Sequence, residues 1–461
     1  MRLDSSLLVV LAACHSVSGP STLVRVDHEP SGPDCPTGGV TINTGLDRDG
    51  NNYLDDDEIT STQFVCNGDT AVQCGGGGVL QGTISVRDPG DWAQLDGVNC
   101  IDGELLIAGT TAASIPGHAD LKTITGDLVV VGNSALTSLA GLGQLRQLGG
   151  NYLIQGNPAL TDISALAGVE RAASIQLIGN DALHDLAGLE AWVDINTIFA
   201  VSNNAGLTSL HGLDNLRTTS RTLEIRANRA LTSVAALGNL RQVPLLEVSG
   251  NDALASLSLG SLQAVDVRLL VNTNSALTSV SLPKLSTTGG FVQFASDPVL
   301  AKVDMPELLT TGGLLVTGNN SLAALSAPRL AFVTGGMQLT GLPRLTTARF
   351  DNLASIGDTL ALANLAVLPN LSGFPLLESI GGELSLVNAG SLRDFTGLGA
   401  LDNVLGAMTV TNNPQLRSFA GLDRMTEVGG DLTIAGNPLL PKATSQAFAQ
   451  RITVHGTVTI N

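Results

Sequence analysis

The sequence predicts a mainly β fold: a right-handed parallel β-helix, or leucine-rich-like solenoid, of about fifteen coils behind a small N-terminal disulfide-bound module. Three observations predict it. A unit close to GG-x-L-x-[IV]-x-x-N-x-x-L-x-S-L-x-G-L-x-x-L recurs, with its asparagine at Asn133, Asn157, Asn180, Asn204, Asn228, Asn251 and Asn274, at spacings of 23 or 24 residues. The 461-residue chain is 43% hydrophobic but only 3% aromatic and holds 53 glycines, a composition suited to an aliphatic coiled repeat. All five cysteines, at 14, 35, 66, 74 and 100, precede the regular repeats.

Within each unit, L-x-[IV] reads as a short strand with two side chains inward and one outward. Gly-Gly supplies a tight corner before the strand. The leucine after the asparagine and those of S-L-x-G-L-x-x-L fill the remaining inner sides. The asparagines bond to backbone at a corner and stack as a ladder, a structural role. Asp297 and Asn319 continue the series, and Asn413 and Asn437 resume it. The 94 residues from Asn319 to Asn413 hold four turns, with strands near Met337–Leu339, Leu360–Leu362 and Leu384–Leu386. Parallel crossovers wind right-handed by strong preference. Successive coils rise by ~4.8 Å, so fifteen make a rod of roughly 70 Å.

Ahead of the repeats, MRLDSSLLVVLAAC places Arg2 before an apolar run from Leu7 to Ala13 and then Cys14. Residues 1–13 read as an export signal. Leu11-Ala12-Ala13-Cys14 resembles the lipobox of bacterial lipoproteins, where a peptidase cuts before the cysteine and its sulfur is lipidated. The resemblance implies that Cys14 anchors the chain to a membrane of the bacterial cell envelope, at the outer membrane or cell surface, with residues 14–31 as a tether. Each buried acyl CH₂ adds roughly 0.8 kcal/mol. Four cysteines then remain, which allow three pairings. The sequential one, Cys35 with Cys66 and Cys74 with Cys100, gives two compact loops that match the module boundaries and suits an oxidising compartment. No apolar run reaches the ~18 residues of a membrane-spanning helix.

Residues 32–70 form a Cys-bounded acidic module. In GLDRDGNNYLDDDEI (45–59), Asp47, Asp49, Asn51, Tyr53, Asp55 and Glu58 fall at positions 1, 3, 5, 7, 9 and 12 of an EF-hand-like calcium loop. Short oxygen donors at alternate positions point inward on a tight turn, Tyr53 offers its carbonyl, and Glu58 closes the shell with two oxygens. Position 6 carries Asn52 in place of the usual glycine, which implies weaker binding, because asparagine is the next most tolerant of a left-handed conformation. The flank GGVTINTG reads as extended, so the expectation is a disulfide-held calcium loop and not a helix-loop-helix sensor. Residues 1–78 carry 11 Asp and Glu against 3 Lys and Arg, and without a cation such carboxylates repel one another. The bland alternative is a solvated acidic linker. The segment also resembles short Cys-bounded acidic modules of bacterial surface lipoproteins.

CGGGGVLQGTISVRDPGDWAQLDGVNCIDGELLIAG (74–109) resembles the opening of the L domains of the insulin and epidermal growth factor receptor family, and units such as LTSLAGLGQLRQLGG resemble their later coils. The likeness covers residues 74 to 461. It implies the β-helix-like coil, with Cys74 and Cys100 in the places of the family's first disulfide, and does not carry hormone binding with it. On this reading residues 74–100 cap the solenoid, 101–440 form it, and 441–461, with a short helix over PKATSQAFAQRI and a last strand TVTIN, close it.

The net charge of −18 argues against nucleic acid as a partner, since phosphate binding needs clustered Lys and Arg. The six histidines form no H-x-x-x-H or H-E-x-x-H pair. The outward residue of successive strands runs Leu106, Val129, Leu153, Gln176, Ala200, Glu224, Glu247, Leu270, Gln293, Leu315, Gln338. Glu224 and Glu247 are its only stacked acids, with Arg226 near enough to neutralise them, so the expectation is a non-enzyme. Leu106, Val129 and Leu153 would form an apolar ladder, which marks a partner face or lies under another segment. The sequence thus points to a surface recognition or adhesion protein with a protein or glycan ligand. A polysaccharide-active enzyme and a structural envelope component are the alternatives.

Overall fold

The computed structural model describes residues 7–9, 21–29, 39–48, 55–66, 72–75, 77–118, 120–169, 172–195 and 198–461. From residue 84 onward it is a β-solenoid of about 16 turns. One ladder of parallel strands runs without interruption from Ile84–Val86 through Leu105–Ala108, Leu128–Val131 and Tyr152–Gln155 to Leu432–Ala435 and Val458–Ile460. The array is therefore one rod, roughly 75 Å long at ~4.8 Å per coil. It exceeds the expected fifteen coils because both caps contribute coils of their own. Ile84–Val86 belongs to the segment read as the N-terminal cap, and Val458–Ile460 to the C-terminal one.

Most strands alternate buried, half-exposed, buried, as L-x-[IV] requires. The leucines after each strand, such as Leu136, Leu139, Leu142 and Leu145, are also fully buried. Burying one such side chain is worth roughly 1.5–3 kcal/mol. Four central strands, Gln242–Ser249, Ala264–Asn272, Thr287–Ala295 and Thr310–Thr317, are about twice as long as their neighbours and merge two sides of the coil.

The turning residue follows the strand. Gly132, Gly156 and Gly179 have φ near +65°, and Asn203, Ala227 and Thr273 take the same left-handed conformation in later coils. The Gly-Gly pairs serve another purpose. Neither Gly149 nor Gly150 has a positive φ, but a Cβ on Gly149 would sit 2.1 Å from the Thr125 carbonyl oxygen, and one on Gly150 2.1 Å from Asp127 Oδ1. Close stacking of coils, not turning, demands glycine there.

The asparagine next to each turning residue closes the corner of the coil before it. Asn133 Oδ1 accepts the Thr110 N–H at 2.9 Å, and its Nδ2 donates to the Ile107 carbonyl at 3.0 Å. Asn157 does the same for Asn133 and Val130, and the pattern repeats to Asn274. These side chains are fully buried. Leu342, Leu365 and Ala389 interrupt the ladder before Asn413 and Asn437 resume it.

The ends are sealed differently. Cys74 and Cys100 are disulfide-bonded. Trp92 and Leu95, on the short 3₁₀ turn Pro89–Leu95, are buried over the first coil, with Trp92 stacked on His118. At the other end the helix Lys442–Arg451 lays Phe448 on Phe419, which stacks on Phe395. Arg451 donates to the carbonyls of Leu422 and Asp423, orphaned by the end of the array. The rest of the core is mainly aliphatic, with buried aromatics at Tyr152, Trp192, Phe199 and Phe294 and a second ring pair, Phe350 with Phe374.

Ahead of the solenoid, Ser21–Glu29, Gly39–Asp47 and Ile59–Cys66 pair antiparallel, with Leu7–Val9 along the first. Ser21–Glu29 falls in the span read as tether, so that span carries a strand of the module. The backbone of Cys66 pairs with Gly39, whereas Cys35 lies outside the described residues. So do Cys14 and the rest of the lipobox.

Asp297 departs from the ladder's chemistry. Its Oδ1 accepts from the Asn274 N–H at 2.7 Å and from Asn274 Nδ2 at 3.2 Å. Its Oδ2 has no partner and stands where asparagine carries a donor, toward the Val271 carbonyl in the repeat's geometry. Burial pushes the carboxyl up to about 6, partly offset by the Asn274 bonds. The folded pKa therefore exceeds the unfolded value near 3.8, so stability is greatest below that window and falls as pH rises through it. Asp297→Asn should stabilise by roughly 2–3 kcal/mol above pH 7 and by little at pH 4. Parallel denaturant unfolding of both proteins across pH checks this; a gain independent of pH would sink the account.

Candidate functional site on the strand face

The long parallel ladder presents one outward column, in the order expected from the sequence. Leu106 pairs with Val129, and Val129 with Leu153, in direct register. All three are half-buried, with Ser85 and Gln176 as the rungs on either side. Ala108 and Val131 extend the apolar surface along the next column of the same strands. This ladder exists because the inward positions are taken by Leu105, Ile107, Leu128 and Val130, which leaves the middle residue no choice but to face out.

Farther along, Glu224 and Glu247 are register partners. Glu247 is 4% exposed. Its Oε1 meets Arg226 Nε at 3.1 Å and accepts the Ser249 hydroxyl at 2.8 Å, whereas Oε2 has no partner. Burial holds the Glu224 carboxyl above the usual range, the Glu247 charge adds to this, and Arg226 opposes it. The next rungs are Leu270 and Gln293; in the neighbouring column of the same strands stand Arg268, whose guanidinium donates to Gln293 Oε1 at 3.3 Å, and Phe291, 47% exposed beside Gly313. The acid pair the sequence suggested is thus brought together, and Arg226 neutralises one member. His184 and His211 stay apart, one on the Gly206 carbonyl and the other on Asp214.

In the N-terminal module, Glu58 is buried. Its Oε1 accepts the Arg48 N–H at 2.5 Å and its Oε2 the Asp55 N–H at 3.1 Å. One carboxylate therefore ties the backbone of Arg48 to that of Asp55. Asp49, Asn51, Tyr53 and the side chain of Asp47 lie outside the described residues. Among the described residues no three His, Cys, Asp or Glu gather into a metal-binding group, and no helix is long and apolar enough to cross a membrane.

One site was missed by the sequence reading. On coils near the C-terminal end the turning residue is asparagine, at Asn364, Asn388 and Asn412. Their amides line a groove of about 370 Å³ with Ala366 and Gly390, between Pro343 and Pro414. The signal was legible: where most coils have glycine directly after the strand, these three have asparagine.

Residues 21–66 match a family model described as a domain of unknown function (DUF7151). The bounds coincide with the first and last strands of the antiparallel meander, Ser21–Glu29 and Ile59–Cys66. No curated protein matches the chain.

Replacing Arg226 by methionine leaves Glu247 buried without its cation. The expected loss is roughly 2–3 kcal/mol, below that of a fully buried pair because Arg226 is about one-third exposed. Glu247→Gln in the same chain should restore most of it. A double-mutant cycle by chemical denaturation reads this, and no recovery in the double variant would show that the pair is not coupled.

Proposed function

We propose that the protein is a recognition or adhesion component of a bacterial cell envelope, lipid-anchored through Cys14, which binds a protein or glycan with the outward strand face of its solenoid. The observation that carries this reading is the half-exposed ladder of Leu106, Val129 and Leu153, stacked in register on a rigid sheet. Aliphatic rungs fixed by an ordered backbone lose little entropy on binding and suit a flat partner. The receptor-L-domain-like coil pattern is in keeping with such a role.

A calcium ion in the module is part of the same proposal. Asp47, Asp49, Asn51, Tyr53, Asp55 and Glu58 would hold it, and Glu58, already tied to the backbone of Arg48 and Asp55, supports that arrangement. Its chemistry would be structural: neutralising the acidic loop. Calorimetric titration of the full chain should show saturable calcium binding, weakened at least tenfold by Asp49→Ala. Heat that is unchanged in that variant, or no heat at all, would make the loop a charged spacer.

The second reading, cleavage of a polysaccharide, rests on Glu224, whose carboxyl burial holds above the usual range, standing in register beside the Arg226-paired Glu247. One experiment separates the readings. Labelled protein is applied to glycan and protein arrays beside Val129→Glu and Leu153→Glu. Binding that both variants reduce at least ~10-fold, with melting unchanged, supports recognition through the apolar rungs. Binding indifferent to both removes them as the contact. New reducing ends from acidic glycans, abolished by Glu224→Gln, would favour the enzyme.

A further inference from the structure

The fold asks of Asn364, Asn388 and Asn412 only a left-handed turn. The coil needs only a residue that tolerates a left-handed φ there, and Gly132, Gly156, Gly179, Gly250, Gly318, Gly341 and Gly436 fill the same corner at no steric cost. Using asparagine in three consecutive coils puts a polar side chain where the backbone asks for none.

The amides form a row. Asn388 Nδ2 donates to Asn364 Oδ1 at 2.9 Å. Asn364 Nδ2, Asn388 Oδ1 and the whole Asn412 amide make no hydrogen bond to the described residues, so the row keeps donors and acceptors open to a ligand. Asn412 lies across Gly436, where a Cβ would come within 2.3 Å of its Oδ1. Ala366 and Gly390 make the floor, and a Cβ on Gly390 would meet the Ala366 carbonyl at 2.6 Å. Pro343 and Pro414 offer flat C–H surfaces at its two ends. None of these residues is charged, in a chain of net charge −18.

We propose that this groove binds a neutral linear glycan running along the solenoid axis. Three properties choose that occupant. The amides recur once per coil, at ~4.8 Å, close to the advance of one sugar ring in an extended chain. A peptide strand instead offers like-facing groups only every two residues, at ~6.6–6.8 Å, and falls out of step within one coil. An uncharged lining gives no counter-charge to an anionic polymer, whereas carboxamides serve as both donor and acceptor for hydroxyls. The volume matches ligand sites of ~300–1,000 Å³, and the row of three amides, about 10 Å from end to end, meets two or three rings. This deepens the glycan branch of the recognition reading and rests on it, but uses a different stretch of the rod from Leu106, Val129 and Leu153.

The test is calorimetry of the full chain with neutral glucan and mannan oligosaccharides of four to six rings, beside a uronic-acid oligosaccharide of equal length. Two variants accompany it: Asn388→Gly, which removes the central amide and keeps the left-handed corner, and Ala366→Trp, which fills the exposed floor. The expected result is binding of a neutral oligosaccharide but not of the acidic one, weakened at least tenfold by each variant with melting unchanged. Neutral-glycan binding that both variants leave intact, but Val129→Glu abolishes, would overturn the groove while keeping recognition on the strand face. No binding of any neutral oligosaccharide would overturn the groove outright, and a protein ligand on the apolar rungs would remain open to the array experiment.

Discussion

Most coils of this solenoid depend on one device, the way the corner after the strand is closed. The left-handed turn there points a backbone N–H and a carbonyl into the interior, where each costs roughly 1–3 kcal/mol if left unpaired. The next coil's asparagine satisfies both with one side chain, as Asn157 does for Asn133 and Val130. A carboxamide is suited to this because it carries an acceptor and a donor side by side, in the geometry of a peptide group. The interaction is local to a pair of coils and repeats from Asn133 to Asn319 at spacings of 22 to 24 residues. Leucine burial supplies the driving force, and in the coils at Leu342, Leu365 and Ala389 apolar burial and strand pairing hold the register without the asparagine. Asp297 makes the rule visible by breaking it, because a carboxylate has the acceptor and lacks the donor.

A ladder built this way has open ends, and the two ends solve the problem with different chemistry. The first coil has no predecessor, so the chain ties it with the Cys74–Cys100 disulfide and covers it with Trp92. The last coils have no asparagine to follow them. There Arg451 donates to the carbonyls left over, and Phe448 extends a stack through Phe419 to Phe395. A single guanidinium presents several donors in a fixed plane, which suits a row of carbonyls better than an ammonium does.

Much of this was legible in the sequence because the constraint repeats. The asparagine series, the inward pair of each strand and the outward column all follow from a period of 23 or 24 with a side-chain period of two. What was harder to see came from contacts that no single repeat displays. Gly149 and Gly150 look like turn residues, but the reason for them lies in Thr125 and Asp127 one coil earlier. The strand Ser21–Glu29 was hidden in a span with no apolar alternation strong enough to separate it from a tether. The groove at Asn364, Asn388 and Asn412 lies one position before the buried ladder position, here Leu365, Ala389 and Asn413, and no single repeat shows that the three amides share one wall.

The interior rule also explains how one rod can carry unlike surfaces. Closing a corner and filling the coil fix the inward residues and the residue after the strand, and leave the middle residue of the strand free. That column accordingly changes character along the axis while its backbone does not: aliphatic at Leu106, Val129 and Leu153, ionic at Glu224 and Glu247, hydroxyl-bearing at Thr409 and Thr433. Substitutions there cost the fold little where the residue is exposed, unlike at Ala200, Glu247 and Leu270, which are buried. A chain with such freedom evolves contacts by changing one position per coil, and a ligand that extends over several coils reads them together. The row of amides beside Thr411 and Ala363 obeys the same logic one step farther on, since the corner accepts asparagine as it accepts glycine. Recognition along the axis is thus the kind of function this architecture can acquire without disturbing what holds it together.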